Sequence, residues 1–206
     1  MRLTRERGTT HVTRAYILIA FGALAGIARP GAAQSPTSAL QLGLFGGASS
    51  PLGDFADVAQ LGFHLGARFG VRLPNRPVGV HAEAQWHRFT RKRAVIVGAS
   101  ERAPEIVPLT LNLDFGGRGR GGTYLTVGAG AYHSRVSAFV PDPADGPPSI
   151  ERRSATRLGF NAGMGSLFDL GGRQGFVELR LHRVSGSDDD RQEAMAFVPF
   201  SFGVRF

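Results

Sequence analysis

Few side chains in this 206-residue chain could do chemistry, and most are imidazoles or carboxylates: His64, His81, His87 and His182, with Glu83, Asp114 and Glu178. Such groups serve as metal ligands or as acid–base pairs. Their spacing argues against an ion held in common, because His81 and His87 lie six apart on what reads as one strand, about 20 Å at the strand rise per residue. The better partners for the carboxylates are arginines, so Arg68, Arg72, Arg180 and Arg205 are expected to pair with Glu83, Asp114 and Glu178 in a structural polar network. Neither a metal nor a cofactor is expected. The chain has no cysteine, which excludes thiol nucleophiles, thiolate metal sites and disulfides. The run Gly116–Gly122 lacks the strand-to-helix setting and the Lys-Ser/Thr ending of a phosphate loop and reads as a turn. Asp188, Asp189 and Asp190 read as solvated surface.

The elements that must position these residues follow a period of two. From Leu61 to Leu73, Leu61, Phe63, Leu65, Ala67, Phe69, Val71 and Leu73 alternate with Gly62, His64, Gly66, Arg68, Gly70 and Arg72. Strict alternation over that length means a long strand whose two faces meet different surroundings. The same pattern runs through Val78–His87, Val107–Phe115, Leu125–Tyr132, Leu158–Gly165, Val177–His182 and Val198–Phe206, and more weakly through Leu40–Phe45, for eight strands in all. Their connections alternate as well. Ser49–Gln60, Arg88–Pro104, Val136–Ser154 and Ser185–Glu193 are long, whereas Pro74–Pro77, Gly116–Gly122 and Gly171–Gly175 are short. All short connections thus fall at one end of an up-and-down antiparallel sheet, and closing the first strand on the eighth removes its exposed edges.

Ahead of the strands, Arg2, Arg5, Arg7 and Arg14 precede the apolar run Ala15–Ala28 and the small residues Gly31, Ala32 and Ala33, which reads as a cleaved signal peptide over residues 1–33. Residues 34–39 form a short N-terminal segment and residues 40–206 the barrel domain. The whole chain carries 24 basic and 16 acidic residues; residues 1–33 hold five Arg and one Glu, leaving 19 against 15, a net charge of +4 rather than +8. Half of the apparent affinity for polyanions therefore belongs to targeting, and nucleic acid is not an expected partner.

The polar faces decide between a soluble cup and a membrane barrel. The chain has a single lysine, Lys92, and its polar faces are dominated by glycine with isolated Arg, His, Glu and Asn. That composition suits a crowded interior, which an eight-stranded barrel has. The opposite faces carry a continuous band of Leu, Val, Phe and Ala on strands long enough to cross a bilayer when tilted. The expected fold is an all-β, eight-stranded antiparallel transmembrane barrel.

These residues resemble the small outer-membrane barrel domains of Gram-negative-type bacteria, OmpA/OmpX-like in size. The resemblance covers residues 40–206. Its most specific element is Ala196–Phe206, similar to the terminal strand that the outer-membrane assembly machinery recognises, with Phe206 as the signal; Gly46–Phe55 is also similar to loop entries of such domains. It implies a location in the outer membrane and a monomer that acts through long external loops, not an activity. Lipid A deacylases in similar barrels use membrane-facing His and Ser residues, which makes a lipid-modifying enzyme the alternative, but His133 and Ser134 have opposite parity. A small-solute channel is disfavoured by the filled interior. The strand parity places Glu178 and Arg205 in reach of each other, and Trp86 and Phe89 at the outer interface. Arg88, Arg91, Lys92 and Arg93 follow there, where they would meet lipopolysaccharide phosphates through charge-assisted hydrogen bonds.

Overall fold

The structure, a computed structural model, describes residues 40–73, 76–91, 103–118, 121–140, 149–186 and 194–206. Eight strands follow one another, β1 (Leu40–Leu52), β2 (Ala59–Arg72), β3 (Val78–Arg91), β4 (Glu105–Arg118), β5 (Gly121–Val140), β6 (Ser149–Leu170), β7 (Arg173–Val184) and β8 (Met195–Arg205). Each pairs antiparallel with the next, and β1 closes on β8 from Gly43↔Arg205 to Leu52↔Ala196. The closed up-and-down barrel expected from the two alternations is the observed fold. Among the described residues, no helix is long and apolar enough to cross a membrane.

The strands run further at the long-connection end than the periodicity suggests. β1 continues to Leu52, so the first long connection shrinks to a turn at Gly53 (φ +56°) and a single helical turn, α1 (Phe55–Val58). β5 and β6 pair up to Val140↔Ser149, although β4 ends opposite Arg135 and β7 reaches only as far as Gly159↔Val184. In the sequence of these extensions the strict apolar–polar alternation that marks the rest of the sheet is absent. At the other end the turns are tight. β6 and β7 are joined by Gly171 and Gly172 alone, at φ +59° and +95°, the left-handed pair that a two-residue hairpin requires.

Three prolines sit within the ladders, and Pro51 of β1 stays paired with Phe197 of β8. Pro108 in β4 and Pro199 in β8 cannot donate a hydrogen bond. The β3–β4 pairing is interrupted between Ala84↔Leu109 and His87↔Ile106, and the β7–β8 pairing between Leu179↔Phe200 and His182↔Phe197. Register is unchanged across both gaps. The opposite edges of the same prolines remain paired, Pro108 with Tyr132 and Pro199 with Ser49.

The apolar faces point outward all round the barrel. Leu61, Leu111 and Leu158 are exposed by 63%, 62% and 74%, and Phe63, Phe69, Leu109, Leu125, Phe160, Met164, Phe200 and Phe202 join them in a belt. A surface of that extent needs an apolar solvent. Trp86 stands on this face, edge-on to Phe63 at 5.4 Å. Phe89 does not: three residues along a strand reverse the face, and Phe89 is fully buried inside.

Candidate functional site

The lumen is the only place where the described polar side chains converge, and inward glycines create the space for them. A Cβ on Gly43 would lie 2.8 Å from Cγ of Arg68, and one on Gly159 would lie 2.8 Å from the ring of Tyr132. Gly165 leaves room in the same way for the ring of Tyr124.

At mid-height four charges form a closed quartet. Arg68 Nη2 lies 3.1 Å from Glu83 and 3.3 Å from Glu178, while Arg180 reaches Glu83 at 2.8 Å and Glu178 at 2.5 Å. All four residues are at least 96% buried. Two positive and two negative groups cancel, and Tyr124 adds a hydrogen bond to Glu178 at 2.7 Å. The guanidinium of Arg68 rests on aromatic faces, 4.2 Å from the centre of the Phe176 ring and 4.8 Å from that of Phe45. Below the quartet, Arg205 pairs with Asp114 at 3.4 Å, and His81 lies 3.6 Å from Asp114 and 3.4 Å from Glu83.

Two expectations about this network are corrected. Glu178 does not meet Arg205, because it stands opposite Ser201 whereas Arg205 stands opposite Gln174, four residues further down. Among the described residues Arg72 meets no carboxylate; its guanidinium donates to the carbonyls of Gly116 and Gly117 and ties down the end of β4.

Above the quartet lies a polar layer that the spacing of residues did not reveal. Ser49 Oγ stands 3.0 Å from Nδ1 of His64 and 2.8 Å from Nδ1 of His87. His64 Nε2 lies 2.9 Å from Ser201 Oγ, His87 Nε2 lies 2.7 Å from Gln85 Oε1, and Gln85 donates onward to Glu83. His182 joins through Tyr132, 2.9 Å from its Nδ1. Ser201 was legible only as an inward position on the last strand and Ser49 was read into the first long connection, so neither carried a chemical signal of its own. No group of three His or acidic residues among the described residues has the geometry of a metal site.

Apolar clusters close the lumen at both ends. Phe55, Ala59, Phe89, Ile106, Tyr132, Val184, Met195 and Phe197 fill the long-connection end, with Phe55 supplied by α1. Phe45, Tyr124, Leu167 and Phe176 fill the other end.

The remaining expected residues lie outside the lumen. Arg88 is exposed on the outer face, opposite Phe63 of β2 and Glu105 of β4, and Arg91 ends β3; Lys92 and Arg93 lie outside the described residues. Residues 1–39 and Asp188–Asp190 also lie outside them. His133 faces outward, 2.9 Å from Thr156 Oγ1, while Ser134 faces inward and donates to the carbonyl of Ala155, so the two cannot act on one group. Phe206 is half-exposed; its N–H donates to the carbonyl of Leu42 at 2.7 Å and Arg173 lies over its ring at 4.7 Å.

No known family profile matches the chain, and no curated protein sequence does. Solved structures do. Neisserial surface protein A superimposes with a TM-score of 0.53 at 15% identity, over 82% of this chain and 96% of its own. The Yersinia pestis attachment invasion locus protein gives 0.49 at 16%, over 81% and 97%, and the N-terminal barrel domain of Pseudomonas aeruginosa OprF gives 0.47 at 18%, over 81% and 96%. At this identity, the likeness to Neisserial surface protein A is one of fold, an eight-stranded barrel of the outer-membrane type.

Proposed function

We propose that this barrel is a non-enzymatic integral protein of the bacterial outer membrane, exported by its N-terminal signal and acting at the cell surface through the end that carries the long connections. The belt of outward Leu, Phe, Val and Met carries the reading, because a closed sheet with an apolar exterior and a charged interior is stable only in lipid. A plugged lumen speaks against solute passage, and the opposed directions of His133 and Ser134 speak against a lipid hydrolase built on that pair. The β5–β6 ribbon, paired as far as Val140↔Ser149, runs past its neighbours at that end, where surface contacts belong.

Three partners follow from this reading. The outer-membrane assembly machinery takes the terminal strand with Phe206, and lipopolysaccharide phosphate pairs with Arg88, Arg91, Lys92 and Arg93, which follow Trp86 in the sequence. The surrounding lipid is the third, and the barrel acts as a monomer. The test is expression in a Gram-negative host followed by membrane fractionation and electrophoresis with and without boiling. The chain is expected in the outer-membrane fraction, with a faster unboiled band; a soluble product, or one mobility in both samples, would reject the proposal.

A further inference from the structure

The upper layer of the lumen has a proton order that can be deduced link by link. Glu83 lies between two guanidinium groups and, as a carboxylate, only accepts hydrogen bonds. Gln85 therefore turns its amide N–H toward Glu83, which leaves its carbonyl oxygen facing His87 Nε2. That nitrogen must carry a hydrogen. In a neutral ring Nδ1 is then the acceptor, and the donor beside it is the Ser49 hydroxyl. Ser49 has one proton to give, so its oxygen accepts from Nδ1–H of His64, whose Nε2 in turn accepts from the hydroxyl of Ser201. The chain runs one way, from Ser201 through His64, Ser49, His87 and Gln85 to Glu83. An imidazolium carries a hydrogen on both nitrogens, so charging His87 makes the Ser49 hydroxyl turn away and lose the hydrogen bond it donated, and charging His64 does the same to the Ser201 hydroxyl.

Nothing nearby compensates such a charge. Arg68 of β2, Arg180 of β7 and Arg205 of β8 already balance Glu83 of β3, Asp114 of β4 and Glu178 of β7 one for one. The other titratable group facing the layer is Tyr132 of β5, His81 of β3 lying below the quartet between Glu83 and Asp114, while β1, β6 and the upper part of β8 present Ser49, Asn161, Ser201 and Phe197. His64 and His87 stack with ring centres 5.0 Å apart, and His182 stands 6.0 Å from His87, so charged rings would also repel one another. These rings are the floor of the external plug. Phe197 rests on His182 at 4.8 Å, nearly parallel, and meets His87 edge-on at 4.8 Å; His87 is also parallel to Phe89.

We infer that His64, His87 and His182 form an acid-operated latch, neutral and hydrogen-bonded when the external plug is seated, and releasing Phe89 and Phe197 when protons enter, so that the external half of the lumen opens while the opposite end stays closed. The test is NMR on the intact barrel folded in micelles, following imidazole nitrogens and backbone hydrogen exchange between about pH 7.5 and about pH 5. At the higher pH, His87 should carry its hydrogen on Nε2 and His64 on Nδ1. On acidification, imidazolium signals should appear together with at least an about tenfold loss of protection, corrected for intrinsic exchange, near His87, Phe89 and Phe197, with no change near Phe45 and Gly203. In His87→Gln, which keeps one donor and one acceptor, that loss should largely vanish. Rings that stay neutral throughout, rings that charge without loss of protection, an equal loss at both ends, or an unchanged response in His87→Gln would each overturn the inference. Should that variant not fold, the tautomers and the comparison of the two ends in the parent protein decide it.

Discussion

Glu178 shows how much a single inward side chain carries. It accepts from Arg68, Arg180 and Tyr124, and its removal leaves two buried guanidinium groups sharing Glu83 alone. Breaking one partner out of such a group costs about 3–5 kcal/mol, so Glu178→Ala should unfold at a clearly lower urea concentration than the parent in detergent, with the same slope. That Glu178 points inward was legible from parity alone. Its partner was not, because choosing between Arg205 on the adjacent strand and Arg68 across the lumen depends on strand tilt and relative register, which alternation within one strand does not encode. The exterior residues pose a simpler problem. If Arg88, Arg91, Lys92 and Arg93 hold lipid phosphate, replacing all four with Glu should lower the lipopolysaccharide that co-purifies with the folded barrel, without changing its unfolding free energy by more than about 1 kcal/mol. Unchanged lipid per barrel would reduce the cluster to solvated charge.

At the scale of elements, turn chemistry and strand ends separate cleanly. Nothing lies within 4 Å of a Cβ placed on Gly171 or Gly172, yet both have positive φ. Replacing both with Ala thus meets no steric neighbour and isolates the cost of the left-handed backbone, about 1–2 kcal/mol per residue, read as a drop in the denaturation midpoint. The short turns could be read from Gly clusters, whereas the ends of β1, β5 and β6 could not, since pairing beyond the belt is set by neighbouring backbone and not by an apolar face. α1 escaped for the same reason; its single turn is held by burial of Phe55 against Phe89, 4.9 Å away and edge-on. The last strand tests assembly separately from stability. Phe206 is half-exposed and pairs with β1 only through backbone groups, so deleting it should leave the folded barrel's midpoint nearly unchanged while unassembled chain accumulates in the periplasm. Normal surface levels of the deletion would remove Phe206 from the assembly signal.

For the whole molecule, the vertical order of the lumen decides whether anything passes through it. An eight-stranded barrel has just enough width for its side chains, and here they are arranged as an apolar plug, an imidazole layer, a charge quartet and a second apolar cluster whose Tyr124 and Phe176 rings meet Arg205, itself paired with Asp114. Four layers in series make permeation insensitive to the loss of any one. Charged solutes meet the quartet even when the outer plug is gone, because Arg68 and Arg180 bridge Glu83 and Glu178 across the full width. Planar-bilayer recordings of the parent protein at neutral pH should therefore show no unitary conductance, and Phe89→Ala combined with Phe197→Ala should remain silent although each truncation costs about 3–5 kcal/mol of stability. Adding Phe45→Ala and Phe176→Ala still leaves the quartet in place. Conductance should appear only when Arg68 and Glu178 are also replaced with Ala, and steady channels in the first double variant would show that the outer plug alone closes the barrel.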